Sequence, residues 1–443
     1  MAEEKKTVAI KHRTAMPVRT VAVLVREGND AGLQIEGESG TIGTAPDNAV
    51  RLTDTSVSGY HARFAALKEG IQISDFGSTN GTWVAGVRLE RGLVPPDTRV
   101  QVGRTQLIVS AGAPQTVDLH DEDTLGRLRG SSPVMRRLMT EIRRVASSHV
   151  PVLLHGESGT GKELVARAIH DESERSNQPF VTVDCGSLLP NLVTSELFGH
   201  EQGAFTGAHK QKRGSFEAAH RGTLFLDEIG ELAPDIQAML LGALERRRFC
   251  RVGGTEEVSV DVRVVAATNR DLRTEVNAGN FRLDLYYRLA VVTLELAPLR
   301  ERAADIPQLI EHFLREEGSD ARVADVIPPA TMRSLSRHRW PGNLRELRNF
   351  VQATLAMGEP MALRADGATG GDLGGSLGGA LTSILALPYA EARRRLLDEF
   401  ESQYLRTLMD RAHGNVARAA REAEMARSHL HDLIRRHSRG SET

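Results

Sequence analysis

The chain has 443 residues, of which 40% are hydrophobic and 26% charged, and its formal net charge is −2. That length suggests roughly three domains of ~150 residues, and the balance is ordinary for a globular protein and too apolar for a disordered one. No run approaches the ~18 apolar residues of a membrane helix, and the opening MAEEKKTVAIKHR lacks a signal-peptide core. The two cysteines, Cys185 and Cys250, form no CxxC, so secreted and disulfide-stapled classes are excluded and a reducing cytoplasmic setting is expected.

Residues 18–112 read as an all-β sandwich or barrel. Short apolar runs such as VAVLV (21–25), ARFAAL (62–67), GIQISDF (70–76) and QLIVS (106–110) are punctuated by Gly, Asp, Asn and Pro. Residues 113–125 are polar and patternless and predict a linker. From 126 to 297 the rhythm becomes strand–helix alternation, with PVLLH (151–155), FVTVD (180–184), TLFLDE (223–228) and VRVVAAT (262–268) as buried parallel strands. Residues 298–362 are helical, and 363–388 form a Gly-rich tether. Residues 389–443 predict an all-α end: a helix with Leu397, Phe400, Tyr404 and Leu408 on one face, then two short helices. The fold class is therefore multidomain, an all-β sandwich, an α/β core with a helical lid, and a small all-α domain.

The strongest motif is Gly156-Glu157-Ser158-Gly159-Thr160-Gly161-Lys162, between the strand 151–155 and a helix opening at Lys162. Glycines let backbone N–H groups turn onto phosphate oxygens, the helix N-terminus adds partial positive charge, and Lys162 would reach the β- and γ-phosphates. The next residue is Glu163, so the hydroxyl that usually ligates Mg²⁺ at that position is missing. Asp227 and Glu228 end the apolar strand TLFL, where a parallel sheet meets its ligand crevice. Asp227 can hold Mg²⁺ and Glu228 can polarise an attacking water, which predicts an ATP-hydrolysing site.

Residues 126–357 resemble, nearly end to end, the AAA+ domain of bacterial sigma-54-dependent transcriptional activators. The matching segments are GESGTGKE (156–163), SELFGHEQGAFTGA (195–208), GTLFLDEI (222–229), AATN (266–269), FRLDLYYRL (281–289), PLRER (298–302) and WPGNLREL (340–347). On bare physics, Gly203-Ala204-Phe205-Thr206-Gly207-Ala208 is either a bendable loop offering Phe205 to a partner or a tight turn burying it. The resemblance implies that this loop contacts sigma-54 and moves with the nucleotide cycle. It further implies that Arg282 and Arg288 act as arginine fingers on a neighbouring subunit's nucleotide, which requires a ring, typically hexameric. Thr268 and Asn269 resemble sensor I and Arg345 resembles sensor II, with ATP held by residues 156–163 and Mg²⁺ by Asp227. Asp184 stands where the family often has Asn, and an Asp there repels Glu228 unless bridged or protonated.

The C-terminus resembles a Fis-type helix-turn-helix. Val416, Ala419, Ala420 and Ala423 give its first helix an inner face, and Leu430, Leu433 and Ile434 do so for the second. Arg427, Ser428, His429, His431, Arg435 and Arg436 are left outward for double-stranded DNA. Residues 411–443 carry seven Arg against four acids, which suits an anionic partner or a solvated helix face. Glu424 occupies the place where the turn usually has Gly. The helix over 391–412 could pair two chains or pack on its own motif.

The N-terminal sandwich resembles a forkhead-associated (FHA) domain through Thr41-Ile42-Gly43, Ser58, His61 and Gly77-Ser78-Thr79-Asn80-Gly81-Thr82. This implies a phosphothreonine-peptide site with Ser58, Thr79 and Asn80 as contacts and His61 as a structural residue. The family's Gly-Arg is Gly43-Thr44 here, and the basic residue often following the serine is Gly59, which removes a bidentate guanidinium. Arg51, Arg63 or Arg104 could compensate; alternatively, the sandwich is a docking module that no longer reads phosphate. Taken together, the resemblances imply an ATP-driven activator that opens sigma-54 RNA polymerase promoters from upstream DNA, as a homo-oligomer between dimer and hexamer, gated by a phosphothreonine protein or a serine/threonine kinase. A nucleotide-sensing DNA-binding regulator without turnover and a remodeller of another client are the competing readings.

Overall fold

The computed structural model describes residues 14–186, 190–358 and 360. The tether expected at 363–388 and the helix-turn-helix expected at 389–443, with its six DNA-contact candidates, lie outside the described residues. Among the described residues, no helix is long and apolar enough to cross a membrane.

The N-terminal region is a two-sheet sandwich. One sheet orders its strands as 91–94, 71–75, 62–66, 39–43 and 50–51, and the other as 34–37, 21–27, 105–111, 98–102, 82–84 and 87–89. The period-two pattern dictates the faces: Val21, Val23 and Val25 point inward, as do Leu107 and Val109 on the neighbouring strand, while the residues between them stay partly wet.

The linker expected over 113–125 is corrected by the structure. Gln115–Asp118 pairs antiparallel with Ala15–Val18, so the strand entering the sandwich lies beside the one leaving it. Thr124–Leu125 then opens a hairpin with Leu128–Arg129. The segment reads as patternless because its order comes mainly from main-chain bonds and from side chains outside it: Arg136 Nε donates to His120 O at 2.6 Å and Gln308 Nε2 to Asp123 Oδ2 at 2.7 Å, with Leu119 and His120 buried.

The α/β core has five parallel strands in the order 180–184, 223–227, 263–268, 152–155 and 292–295. Residues 263–268 are buried throughout, as expected for a central parallel strand covered on both faces. Arg263 is nonetheless among them. Its guanidinium donates to Val145 O and Ala146 O in the last turn of helix Pro133–Ala146, where carbonyls have no i+4 N–H within the helix. Burial lowers its pKa to about 10.

The helical lid contains Ile306–Glu316, Val323–Val326, Pro329–Arg337 and Asn343–Met357, which close around Trp340. Trp340 is wholly buried and satisfies its indole N–H on Leu335 O at 2.9 Å.

Candidate functional site

The loop 156–161 leaves the carboxyl end of strand Val152–His155 and enters helix Lys162–Asp171. Gly159 and Gly161 have φ of 76° and 101°, a backbone that L side chains rarely adopt. Lys162 is only 6% exposed, so its charge must be paired: Nζ donates to Gly156 O at 3.1 Å and Glu228 Oε1 at 3.3 Å. Glu228 sits in a left-handed turn at φ 50°, directly after Asp227, and its other oxygen accepts from Asn269 N at 3.3 Å. Burial first, then the Glu228 charge, push the Asp227 carboxyl above the usual range. Lys162, Asp227, Glu228 and Asn269 thus converge at the carboxyl ends of the three interior strands.

Asp184 lies opposite Asp227 in the strand register, and its Oδ1 accepts from Gly186 N at 2.9 Å. Thr268 is buried and its carbonyl accepts from Gly156 N at 3.2 Å, tying the strand 263–268 to the loop. Glu163 is exposed on the first turn of its helix.

The lid grips the loop through its carbonyls. Asn343 Nδ2 donates to Ser158 O at 3.0 Å, Leu344 N to Gly159 O at 2.9 Å, and Arg302 Nη2 to Thr160 O at 2.8 Å. Arg300 forks onto Glu157 with contacts of 2.8 and 2.6 Å and, with help from Asn343, holds that carboxyl below its ordinary pKa. Arg345 reaches Ser158 Oγ at 3.3 Å. The carbonyl grip by Arg302 and Asn343 is missed by sequence reasoning, although both lie inside segments that it singled out.

Beside the loop is a cavity of about 460 Å³, walled by Leu128, Leu138, Val165, Leu296, Leu309 and Phe313 from hairpin, core and lid. Arg129, Arg302, His312 and Glu316 also line it, so its size and mixed apolar and polar walls suit a planar ring system with hydrogen-bonding edges. Sequence reasoning missed these residues because they come from five separate segments.

Arg282 and Arg288 are exposed at the two ends of helix Leu283–Leu289. Arg282 pairs with Asp284 at 2.7 Å, and Arg288 donates to Leu244 O at 3.0 Å.

Residues 203–208 form a tight turn, with Gly203 N donating to Ala208 O at 2.8 Å. Phe205 is nevertheless 41% exposed, its ring edge-on to His200 at 4.9 Å, so the turn presents the aromatic instead of burying it. Gly203 and Gly207 have φ of 82° and 105°, and a Cβ at either would meet nothing, so they are needed for conformation and not for space. Arg251 braces the base by donating to Glu201 and Glu217 at 2.8 Å.

At the end of the sandwich, Thr79 N donates to Ser58 Oγ at 3.1 Å and Asn80 Nδ2 to Ser56 O at 2.7 Å. His61 is buried, its Nδ1 accepting from Ser58 N at 3.2 Å, with Nε2 3.1 Å from Gly81 O. Burial keeps its pKa down, which fits the structural role expected of it. Among the arginines that could replace the missing guanidinium, Arg63 is paired with Glu295 at 2.7 Å and Arg104 is 3.4 Å from Asp54, while Arg51 is exposed.

With this geometry, the comparisons agree. A family model for the sigma-54 interaction domain matches residues 128–295, and one for the AAA+ ATPase lid domain matches 300–367. The transcriptional regulatory protein ZraR of Klebsiella oxytoca is 45% identical over 302 residues, covering 68% of this chain and 67% of that protein. The chain belongs to the sigma-54 activator family. The Nif-specific regulatory protein of Azotobacter vinelandii is 53% identical over 241 residues, 54% of this chain and 45% of that one. The chain therefore spans about half to two thirds of these curated relatives. NtrX from Brucella abortus, solved in complex with ATP, superposes with a TM-score of 0.50 at 38% identity, covering 71% of this chain and 70% of that one. Residues 24–112 match a model described as the inner membrane component of T3SS, cytoplasmic domain. The central region is accordingly an AAA+ nucleotide-binding domain with its lid.

Proposed function

We propose that this sigma-54 activator hydrolyses ATP in a ring and uses the cycle to convert closed complexes of sigma-54 RNA polymerase into open ones. The observation that carries the reading is the Lys162–Glu228 contact at the carboxyl end of the interior strands, beside Asp227 and the glycine loop. In that arrangement Lys162 leaves Glu228 for the phosphates when ATP enters, and Glu228 is freed to orient and polarise water. The donor set suits Mg²⁺, which binds through one or two carboxylates plus phosphates. Asp227 would hold it, and the raised Asp227 pKa marks a carboxylate that a dication would relieve. When bound, the ion neutralises charge on the phosphates.

Arg282 and Arg288, exposed on one helix, are the candidates to complete a neighbour's site, which makes activity dependent on oligomerisation. Phe205 and Thr206, at the tip of the glycine turn, are the candidates for sigma-54 contact. The sandwich is read as an FHA domain with Ser58, Thr79 and Asn80 facing a phosphothreonine partner, and residues 427–436 as the DNA reader. Open-complex formation on a sigma-54 promoter, with ATP and with a non-hydrolysable analogue, tests the whole. Opening that needs hydrolysable ATP is expected, and opening with the analogue would refute the mechanism.

Asp184 beside Asp227 favours a second reading, in which crowded carboxylates leave a nucleotide sensor without turnover. Measured phosphate release would discard it.

A further inference from the structure

Asn277, closing helix Leu272–Asn277, donates from Nδ2 to two sandwich carbonyls, Tyr60 O at 2.5 Å and Phe76 O at 3.0 Å. The side chains follow. The Tyr60 ring stands edge-on to Tyr286 at 5.6 Å, and Asp47 accepts from both Tyr60 and Tyr287 hydroxyls, at 2.9 and 3.2 Å. This contact seats the sandwich on the AAA+ domain. Beside the seat the two domains part and leave a cleft of about 830 Å³. Met16 and Pro17 wall it from the sandwich and Val134 and Leu138 from helix Pro133–Ala146, with Arg273 and Thr293 also lining it. Pockets for small organic molecules span ~300–1,000 Å³ and favour domain junctions. Among the described residues, neither the nucleotide loop nor Ser58, Thr79 and Asn80 lines this cleft.

The charges around the cleft do not cancel. Five basic side chains, Arg19, Arg63, Lys68, Arg137 and Arg273, share its lining with four acids, Glu38, Asp47, Glu141 and Glu295. Every acid is already engaged: Glu295 by Arg63 at 2.7 Å, Glu38 and Glu141 by Arg137, and Asp47 by the two tyrosine hydroxyls. Arg19 donates to Lys68 O at 2.7 Å. Arg273 is different. Its guanidinium carbon lies 5.6 Å from the centroids of both Tyr60 and Tyr286, one ring from each domain, and these attract its charge without supplying an oxygen to its N–H groups. Its Nε is shut off from solvent, and among the described residues no oxygen accepts from its guanidinium. Arg263 and Arg302 also have a buried, unpaired Nε, but both of their terminal nitrogens donate, to Val145 O and Ala146 O and to Met135 Sδ and Thr160 O. Of the three, Arg273 alone lacks those bonds and alone lines this cleft. A guanidinium partly withdrawn from water without acceptors is costly, and a two-oxygen anion matches its fork.

We propose that the cleft binds a small organic anion, a carboxylic acid or a phosphate monoester, with its oxyanion on the Arg273 fork and its apolar body along Val134 and Leu138. The engaged acids leave no counter-charge for a cation, and an inorganic ion would fill only a small part of the space. Bound there, the anion touches both domains. It is a ligand input separate from the peptide rim and from the nucleotide loop.

The test uses the full chain, first saturated with a non-hydrolysable ATP analogue so that added anions do not report on the nucleotide loop. A panel of substituted benzoates and phenyl phosphates, with inorganic phosphate beside them, is screened by ligand-observed NMR. Hits are titrated against wild type, Arg273→Gln and Val134→Trp. Val134 is 41% exposed and takes no part in the seat, so the larger side chain fills the cleft while the guanidinium stays. At least one organic anion should bind wild type in the millimolar range or tighter, and both variants roughly tenfold more weakly or worse, with analogue affinity equal in all three. Whether the discriminating hits are benzoates or phenyl phosphates identifies the class of anion. No hit, or hits that bind all three proteins alike, overturns the site. Weakening in one variant alone overturns the contact assigned to the other residue. Inorganic phosphate binding as tightly as the best organic hit overturns the organic ligand.

Discussion

Two glycine-punctuated rims on this chain are candidate anion sites, and they are built in opposite ways: at the sandwich rim the Ser58, Ser78 and Thr79 N–H groups already donate to His61, Asp75 and Ser58. The loop at 156–161 has a fixed cation: Lys162 is enclosed, held between Gly156 O and Glu228, and released to whatever negative charge arrives. The sandwich rim at 58–61 and 76–81 has hydroxyls and amides but no buried guanidinium, because Thr44 and Gly59 occupy the positions where one is expected. The first rim can bind phosphate strongly on its own electrostatics, whereas the second must rely on hydrogen bonds and surrenders part of its surface to Asn277. Reading a phosphate site from loop shape alone would rank them equally. The cation separates them.

The comparison breaks most visibly at Glu228. Glu228→Gln should retain ATP binding and lose turnover by roughly 10²–10⁴-fold; an equal loss of binding would make Glu228 a partner of Lys162 and nothing more. Arg288→Ala, and Arg282→Ala beside it, should each slow turnover about 10²–10³-fold, and mixing with Glu228→Gln subunits should recover activity if the arginines act across a boundary. Phe205→Ala should hydrolyse ATP normally while losing affinity for its client by roughly 30-fold, read as lost open complexes.

At the sandwich rim the effects shrink. Ser58→Ala removes one hydroxyl partly spent on Thr79 N, so phosphopeptide retention should fall only about fivefold. The smallest effect has the opposite sign. The raised Asp227 pKa means the native state holds its proton to higher pH than the unfolded chain does, so stability is lost as pH rises above 3.8 through that window. Asp227→Asn should therefore melt later at neutral pH, by on the order of 2 °C, while abolishing turnover.

The nucleotide loop and its acids were legible in the sequence because strand, glycines, lysine and strand-end carboxylates follow each other within short windows whose chemistry is local. The 115–118 strand was not, since its partner lies a hundred residues away and its residues carry no apolar alternation. Nor was the cavity beside the loop, whose wall is assembled from segments between Arg127 and Arg348. Phe205 is a middle case: the glycines predicted a turn, but only the packed structure, with the ring against His200, decided that the aromatic remains outward. The Asn277 contact was invisible because nothing in an asparagine at the end of a short helix signals that it spans two domains.

Because Ala15–Val18 and Gln115–Asp118 lie side by side, the sandwich enters and leaves the chain at nearly one point, like a pendant on a single cord. A pendant released from its seat stays close, at an effective concentration in the millimolar range for a short connection. Its seat can therefore be held by a few weak bonds and still be filled almost all the time.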